Sequence, residues 1–439
     1  MVMCFTLVVA SAAWADVEAY QKAAAAGDAE AQCLLGQCYA KGIGVEQDLA
    51  KAFEWFTKSA GQGDAAAQNN LGLCYGNGDG VARDPAQAFE WFKKSAEQGH
   101  AEGQNNLGGC YANGDGVRKD PAQAVEWYRK SAEQGYASAQ NNLAGCYANG
   151  VGVDKDPAKA VEWYRKAADQ GMVTAQNNLG NCHADGVGVK KDPAQAFAWW
   201  SKAAQQGDAQ AQYNLGMCHA SGIGVKKDPA QAAVWWSKAA QQGNASAQNN
   251  LGLCYANGVG VKKDLAQAVA WFRKSTEQGD AVAQYNLGRC YANGNGVMKN
   301  LAQAVEWLRK AAEQGDASAQ CDLGVCYDTG AGVKQDAQKA VEWYRKAADQ
   351  GHAAAQYNLG GCYIKGSGVE KDFAQAAEWL RKSAEQGYAD AQFNLGVCYA
   401  GGIGVSRNVD EAEKWLTKAA DQGNAQAREV LKQIQRKQE

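Results

Sequence analysis

The stretch DAAAQNNLGLCYGNGDGVARDPAQAFEWFKKSAEQG (Asp64–Gly99) decides the fold, because its pattern recurs every 36 residues without an insertion or deletion. Its final glycine recurs at Gly27, Gly63, Gly99, Gly135, Gly171, Gly207, Gly243, Gly279, Gly315, Gly351, Gly387 and Gly423. Eleven complete repeats therefore fill residues 28–423. Self-similarity at a fixed period of this length indicates a solenoid, in which each repeat buries its apolar face against its neighbours.

The first half of the repeat has the periodicity of an amphipathic helix. Within residues 65–75, Ala67, Leu71 and Cys74 recur at spacings of three and four and predict one buried face. We call this segment helix A. Gly72 within it costs roughly 1 kcal/mol relative to alanine, and its position holds nothing larger than alanine in any repeat. We therefore expect another helix to pack closely against it.

A glycine-rich loop over residues 76–81 ends helix A, and a second helix follows it. Asp84 can cap the free N–H groups of this helix B, and Pro85 fits its first position, where no N–H partner is needed. We predict that helix B ends near Glu97. Each repeat is thus a helix, a glycine loop, a helix and a short turn.

Helix B is also predicted to be amphipathic. Ala88, Phe92 and Ala96 form its buried stripe. Glu90 and Lys94 are spaced to pair on the solvent side, a contact that contributes only a few tenths of a kcal/mol.

The consensus A-x-A-Q-x-x-L-G-x-C-Y-x-x-G-x-G-V-x-x-D-x-x-x-A-x-x-W-x-x-K-A-A-x-Q-G resembles the Sel-one-like repeat (SLR) family, relatives of the tetratricopeptide repeat with a longer loop. The resemblance covers every repeat. It implies an all-α, right-handed α-solenoid of stacked antiparallel helix pairs, with helix A on the concave side, that acts as an adaptor for other proteins. Secreted bacterial members carry two bridged cysteines per repeat. That pairing is not transferred here, because the repeats of this chain share a single cysteine position.

Eleven of the 14 cysteines occupy that one position. Equivalent residues of stacked helix pairs lie at least about 8–10 Å apart, whereas a disulfide needs Cα atoms within about 7 Å. We therefore interpret these thiols as small buried hydrophobic groups. Such thiols suit a reducing compartment and also persist in an oxidising one.

The two ends of the chain depart from the repeat. Residues 2–13 are apolar and Ala13-Trp14-Ala15 fits a signal-peptidase site, although no Lys or Arg precedes them. A cleaved signal peptide over residues 1–15, with export to a periplasm, lumen or exterior, is favoured over a misassigned start codon or a frayed end in a cytoplasmic protein. Residues 16–27 match the second half of a repeat and predict an N-terminal cap. Residues 424–439 predict a polar capping helix.

Composition and motifs argue against several functions. The formal charge of −3 is far from that of a nucleic-acid-binding surface, and no apolar run reaches the roughly 20 residues that span a bilayer. No serine-hydrolase, zinc-protease, Cys-x-x-Cys or Walker motif occurs. His183 and His219 stand beside Cys182 and Cys218, but residues of successive helices would not converge on one zinc ion. We instead expect both histidines to be partly buried at the helix A position that tyrosine occupies in the other repeats. We expect no metal, no cofactor and no catalytic site.

Variable positions of helix A suggest a binding surface. Positions equivalent to Ala66, Asn69 and Leu73 lie opposite the buried stripe on a helical wheel. From the sixth repeat onward they gain residue types that are enriched in interface cores, namely Tyr213, Met217, Leu253, Tyr285, Arg289, Val325, Tyr357, Phe393 and Val397. We predict that the C-terminal half of this surface contacts a partner; the alternative is neutral drift between repeats.

An asparagine ladder runs beside that surface. Its members are Asn70, Asn106, Asn142, Asn178, Asn214, Asn250, Asn286, Asn358 and Asn394, with Asp322 in the ninth repeat. Amide side chains both donate and accept hydrogen bonds. The ladder could therefore hold an extended peptide backbone, or each asparagine could connect its own helix to the neighbouring repeat.

Together these features predict a non-enzymatic scaffold, expected to be a monomer, that binds proteins or extended peptides. One alternative is a hydrolase of the kind attributed to cysteine-rich bacterial members of the resembled family. Another is a helical-repeat RNA-binding protein, which would need a basic surface, whereas the variable stripe offers Arg289 alone.

Overall fold

The computed structural model describes residues 17–438, with side chains described as far as Ile434. The signal peptide predicted over residues 1–15 lies outside this range. All regular secondary structure within the described range is helical, beginning with α1 over residues 17–25 and ending with α24 (Ala425–Gln438). The all-α repeat solenoid predicted from the sequence is confirmed.

Each repeat contributes one helix A and one helix B, all of equal length. The A helices are α2 (Ala29–Lys41), α4 (Ala65–Asn77), α6 (Ala101–Asn113), α8 (Ala137–Asn149), α10 (Val173–Asp185), α12 (Ala209–Ser221), α14 (Ala245–Asn257), α16 (Ala281–Asn293), α18 (Ala317–Thr329), α20 (Ala353–Lys365) and α22 (Ala389–Gly401). The B helices are α3 (Leu49–Gly61), α5 (Pro85–Glu97), α7 (Pro121–Glu133), α9 (Pro157–Asp169), α11 (Pro193–Gln205), α13 (Pro229–Gln241), α15 (Leu265–Glu277), α17 (Leu301–Glu313), α19 (Ala337–Asp349), α21 (Phe373–Glu385) and α23 (Val409–Asp421).

The helix ends follow from their capping residues. Asp84 Oδ1 accepts hydrogen bonds from the backbone N–H groups of Ala86 and Gln87 at 3.0 and 3.1 Å, so helix B begins at Pro85 as predicted. Helix A continues two residues beyond its predicted end, to Asn77, because Gly78 is the residue that adopts the left-handed conformation, with a φ of 88°.

Helix A packs against helix B of its own repeat and helix B of the preceding repeat within each compact part of the chain. The close approach predicted at Gly72 is confirmed, because a Cβ there would lie 2.7 Å from Cδ1 of Phe92. Ala67 and Leu71 beside it are fully buried. The core is therefore built from one leucine and several small residues of helix A against an aromatic or leucine side chain of helix B.

The loop between the helices contacts the preceding repeat. Gly80 has a φ of 72°, and a Cβ on it would overlap the carbonyl oxygen of Leu49 at the start of α3. Glycine is required there for both reasons. This contact fixes each loop against the first turn of the preceding helix B.

A buried glutamine, which the sequence patterns did not single out, also joins the repeats. Gln68 Nε2 donates to the carbonyl oxygen of Ala60 in the preceding repeat at 3.4 Å, and Gln68 Oε1 accepts from Gln98 Nε2 at 2.7 Å. The residue equivalent to Gln68 is buried in every repeat. Its side chain thus connects the carboxyl ends of two successive B helices.

The outer side of helix B matches the prediction only in part. The predicted glutamate–lysine pair forms in α21, where Lys382 Nζ lies 3.1 Å from Glu378 Oε1, but not in α5. Lys94, predicted to pair with Glu90, lies instead over the Trp91 ring, with Nζ 3.9 Å from its centroid. The same lysine–tryptophan contact recurs in the other B helices. A cation above an indole face is favourable, and the spacing of three residues brings the lysine stem across the half-buried ring.

The described residues form two compact units. The first ends at Cys218 and also takes in Gly222–Lys226, whereas the second contains His219–Ser221 and the residues from Lys227 onward. In the first unit, α1 buries Val17 and Ala24 against α2. In the second, α24 buries Ala427 against α23.

The cysteines behave as the small buried groups expected from their position. The 13 described cysteines are free thiols, and ten of them are buried. Burial raises the pKa of Cys74 and Cys110 to about 11. These thiols are therefore protonated and poorly nucleophilic near neutral pH.

Candidate functional site: the helix A surface

The residues predicted to contact a partner are distributed over both compact units. Tyr213, Asn214 and Met217 belong to the first unit, and the other ten belong to the second. Met217, Arg289 and Val325 are exposed, whereas the remaining ten are half-buried. The prediction that these positions contact a partner stays a prediction, and their surroundings are described below.

One part of the wheel argument is wrong. The position of Asn69 was predicted to face solvent, yet Asn69 is 1 % exposed, and Asn249 and Cys321 at the same position are also buried. The reason is that helix A of the next repeat covers this position. Asn106 Nδ2, for example, donates to Asn69 Oδ1 at 2.8 Å.

The asparagine ladder provides this cover. In the second unit, Asn286 Nδ2 donates to Asn249 Oδ1 at 2.9 Å, and Asn358 Nδ2 lies 3.9 Å from Cys321 Sγ. Each contact joins a ladder residue to helix A of the preceding repeat. These contacts favour the structural interpretation of the ladder, while the remaining amide atoms of the half-buried side chains keep the peptide-binding interpretation open.

The eighth and ninth repeats depart from this pattern. Tyr285 occupies the acceptor position and Asp322 replaces the ladder asparagine. Burial raises the pKa of the Asp322 carboxyl, while the charge of Arg289 and a hydrogen bond from the Tyr285 hydroxyl oppose that rise. The guanidinium carbon of Arg289 lies 5.7 Å from the centroid of the Tyr285 ring. A guanidinium, a phenol and a carboxyl thus interact on the helix A surface.

The second unit also contains a pocket of about 450 Å³ where the A helices of the last two repeats approach the loops that follow them. It is lined by Asp328, Tyr357, Asn358, Gly361, Cys362, Ile364, Lys365, Ser367, Phe373, Asn394, Val397, Cys398 and Ile403. Three of the predicted contact residues, Tyr357, Asn358 and Val397, therefore share one pocket. Its volume lies in the range of sites that bind small ligands or single side chains.

Local backbone features hold the apolar lining in place. Asp372 caps α21 by accepting from the N–H groups of Ala374 and Gln375 at 2.9 and 3.0 Å. Phe373 consequently stands at the first helical position, 39 % exposed. A Cβ on Gly368 would overlap the carbonyl oxygen of Ala337, so the loop before Phe373 lies tightly against the preceding repeat.

Aromatic packing holds Tyr357 at the base of this region. Its ring centroid lies 5.3 Å from that of Tyr388, with 44° between the ring planes. Tyr388 is the residue before α22, and burial raises the pKa of its phenol. The two half-buried rings belong to two successive repeats, and Tyr357 is the one that lines the pocket.

The equivalent place in the first unit has a different character. A pocket of about 280 Å³ lies between α4 and α6. Its lining includes five asparagines, namely Asn77, Asn105, Asn106, Asn113 and Asn142. Leu73, Pro85, Ala88 and Phe92 also line this pocket. Both pockets therefore combine apolar groups with amides, and Tyr357 of the second occupies the repeat position that Asn105 occupies in the first.

The ionisable groups of the 450 Å³ pocket argue against nucleophilic chemistry by its two cysteines, Cys362 and Cys398, because burial raises the pKa of both. Burial raises the pKa of Cys362 to about 11, with the charge of Asp328 adding to the rise and that of Lys365 opposing it. A protonated thiol is a weak nucleophile. What the pocket offers is an apolar wall beside Asn358, Asn394, Asp328 and Lys365, which suits binding.

Sequence analysis missed part of this lining. Ile364 lies in the last turn of α20, Phe373 begins α21, and Ile403 lies in the loop after α22. None of them is on the helix A face that was considered. A usable signal existed, because Phe373 is an exposed aromatic residue at a position where five other repeats have proline. Its ring contacts Lys371, whose Nζ lies 4.7 Å from the ring centroid.

The histidines were predicted to occupy the helix A position that tyrosine holds in the other repeats, and His183 does so. It is buried, and its pKa is lowered by burial and by the charge of Arg165, against an opposing effect of Asp192. No group of three His, Cys, Asp or Glu side chains between residues 17 and 434 is arranged to hold a metal ion. Over the same part of the chain, no helix is both long and apolar enough to cross a bilayer.

Paired helices stacked at a fixed period, with a variable surface on one helix of each pair, define the class of α-helical repeat proteins built like tetratricopeptide arrays. The Sel1 repeat model matches residues 29–64, 65–100, 101–136, 137–172, 173–208, 209–244, 245–280, 281–316, 317–352, 353–388 and 389–424. The chain belongs to the Sel1 repeat family. This family typically provides protein-interaction scaffolds and is generally non-catalytic.

Two solved structures are similar to this chain over most of their length. The first is c5321, described as a protective antigen present in uropathogenic Escherichia coli strains displaying an SLR fold, with 43% identity and a TM-score of 0.84 over 96% of this chain and 90% of that one. The second is a Sel1 repeat protein from Oxalobacter formigenes, with 35% identity and a TM-score of 0.55 over 72% of this chain and 93% of that one. No curated protein matches the chain.

Proposed function

We propose that this protein is a non-enzymatic scaffold that binds an extended segment of a partner protein on the helix A surface of its second compact unit. An apolar side chain of the partner occupies the 450 Å³ pocket beside Tyr357, Phe373 and Val397, where it replaces water against apolar walls. The flanking backbone of the partner meets the amides of Asn358 and Asn394.

The observation that carries this proposal is the apolar lining of an open pocket. Phe373 and Ile403 are 39 % and 38 % exposed at its edge, and exposed apolar groups that line a concavity mark binding sites. Asparagines occupy much of the equivalent pocket of the first unit. Apolar residues also line that pocket, so the second unit is distinguished by its particular apolar residues: Tyr357 occupies the repeat position of Asn105 in the first unit, and Phe373 that of Pro85.

The experiment is a selection from a displayed library of random peptides of about 12 residues against the intact protein. Selected peptides are then measured by fluorescence anisotropy against the Phe373→Ala variant. We expect selected sequences to share an apolar residue, and we expect Phe373→Ala to weaken binding about 5- to 30-fold, as the loss of one well-packed apolar contact does.

Leu301→Ala is the matched control. Leu301 is the first residue of α17, the position that Phe373 holds in α21, and it is 38 % exposed. Both variants remove a large apolar group from the same place in the repeat, but Leu301 lies outside the pocket. Equal affinities for the two variants, or a selection that yields no peptide above background, would contradict the proposal.

A further inference from the structure

Arg289 differs chemically from every other residue at its place in the second unit. The equivalent residues in the neighbouring repeats are Leu253 and Val325, and two repeats further along stands Val397. Among the helix A segments of this unit, α14, α16, α18, α20 and α22, the only other basic side chain is Lys365 at the last position of α20. The middle of the surface therefore presents one cation in an apolar row.

The environment of Arg289 holds its side chain near the surface rather than burying it in an ion pair. Arg289 is exposed, and its guanidinium carbon stays 5.7 Å from the centroid of the Tyr285 ring. Arg289 also interacts with the Tyr285 hydroxyl, and its charge acts on the half-buried Asp322, although the two side chains form no direct salt bridge. Stacking on an aromatic ring orders an arginine while leaving most of its five N–H donors free.

We propose that Arg289 is a specificity-determining residue that binds a carboxylate of the partner segment, and that the partner therefore carries an acidic group flanked by apolar residues. The planar guanidinium matches a carboxylate in a two-point contact. Val325, exposed beside it in the next repeat, meets an apolar side chain of the partner. This inference rests on the proposed function and adds the chemistry of the partner.

The carboxylate has two sources, an internal Asp or Glu side chain and the carboxyl terminus of the partner. An internal Asp or Glu can bind Arg289 from any position along the extended partner segment. A terminal carboxylate can bind only where the partner chain ends. The same donor set serves both. The test below separates them.

The probe is a synthetic peptide derived from the display selection, in three forms: the parent, a form with its Asp or Glu replaced by Asn or Gln, and a form with an amidated carboxyl terminus. Binding of each to the wild type and to Arg289→Gln is measured by fluorescence anisotropy at about 50 mM and about 300 mM NaCl. We expect that neutralising one carboxylate weakens binding to the wild type about fivefold or more and leaves binding to Arg289→Gln unchanged. The affected form identifies the source.

Arg309→Gln is the control for loss of positive charge. Arg309 lies on helix B, where its guanidinium donates to the Tyr327 hydroxyl at 3.2 Å. We expect this variant to retain the dependence on the carboxylate. Arg289 is exposed on its helix, so we expect Arg289→Gln to fold. Circular dichroism and the urea midpoint check this, because the variant also removes the charge that acts on Asp322.

Two results overturn the inference while leaving the proposed function in place. In the first, the selected peptides contain no acidic residue, and amidation of their carboxyl terminus does not weaken binding. In the second, neutralising the carboxylate weakens binding to the wild type and to Arg289→Gln by the same factor. A selection without binders contradicts both. Binders that are insensitive to Phe373→Ala but require Arg289 and a carboxylate contradict only the apolar anchor of the proposed function.

Discussion

Asn286 Nδ2 donates a hydrogen bond to Asn249 Oδ1 at 2.9 Å, across the boundary between two repeats. Asn249 is buried, so its side-chain oxygen depends on this donor. The relationship gives the ladder a role in joining A helices of successive repeats. This hydrogen bond also explains why the residue before a ladder asparagine is less exposed than a helical wheel drawn for one isolated helix predicts.

Replacing Asn286 by alanine should lower the free energy of unfolding by about 1–2 kcal/mol, because a buried acceptor loses its partner. The urea midpoint of the intact protein measures this. Asn358→Ala is the matched control, since Asn358 lies 3.9 Å from a sulfur, which is a weak acceptor, and we expect it to cost less. Unchanged midpoints together with lost peptide binding would assign the ladder to binding instead.

The buried glutamines make a stronger connection. Gln356 Nε2 donates to the Ala348 carbonyl oxygen at 3.1 Å, and Gln356 Oε1 accepts from Gln386 Nε2 at 2.8 Å. We expect Gln356→Ala to lower the free energy of unfolding by about 1–3 kcal/mol, because it leaves a cavity and removes both contacts. Gln386→Ala leaves no cavity at the buried position, but it deprives the buried Gln356 Oε1 of its donor. It should therefore cost about 1–2 kcal/mol, less than Gln356→Ala. Equal urea midpoints for the two variants would argue against this account.

The sequence predicted the fold well because the signals that end helices are local. Asp84 and Pro85 define the start of helix B, and Gly72 indicates a close contact whatever the neighbouring helix is. Each signal acts within a few residues, and the repeat presents each one up to eleven times. Agreement among copies removes the ambiguity that a single segment would leave.

The surface was harder to predict because it depends on which helices cover each face. A wheel drawn for α4 does not show that α6 lies over Asn69. The pocket is harder still, since Ile364, Phe373 and Ile403 come from a helix end, a helix start and a later loop. Only the stacking of repeats in three dimensions brings these residues together.

The loop glycines should differ in importance although all have a positive φ. A Cβ on Gly296, whose φ is 73°, would overlap the Leu265 carbonyl oxygen, whereas a Cβ on Gly279, whose φ is 84°, would have nothing within 4 Å. Gly279→Ala should therefore cost about 1–2 kcal/mol from backbone strain alone. Gly296→Ala should cost more than about 3 kcal/mol, because the preceding repeat must also move.

Urea denaturation of both glycine variants, followed by circular dichroism, measures the difference. Gly279→Ala serves as the control for backbone strain, since it shares the left-handed conformation without the overlap. Equal costs would show that the loop does not need its close approach to the preceding helix B.

His183 should make the stability of the first unit dependent on pH. In the folded protein its pKa is lowered, chiefly by burial and then by the charge of Arg165. The ordinary pKa of histidine is about 6.5. Below that pH, His183 is therefore protonated to a larger extent in the unfolded chain than in the folded chain. The free energy of unfolding should fall as the pH drops below that value, until the folded-state pKa is reached.

Two variants separate protonation from packing. His183→Phe removes the titrating group, whereas His183→Tyr also restores the residue found one repeat earlier, where Arg129 Nη2 donates to the Tyr147 hydroxyl at 3.5 Å. We expect both variants to lose less stability than the wild type between about pH 7.5 and about pH 5. His183→Tyr should be the more stable of the two by about 0.5–1.5 kcal/mol, because Arg165 gains an acceptor. Urea midpoints at the two pH values measure this, and identical pH dependence in all three proteins would exclude His183 as the source.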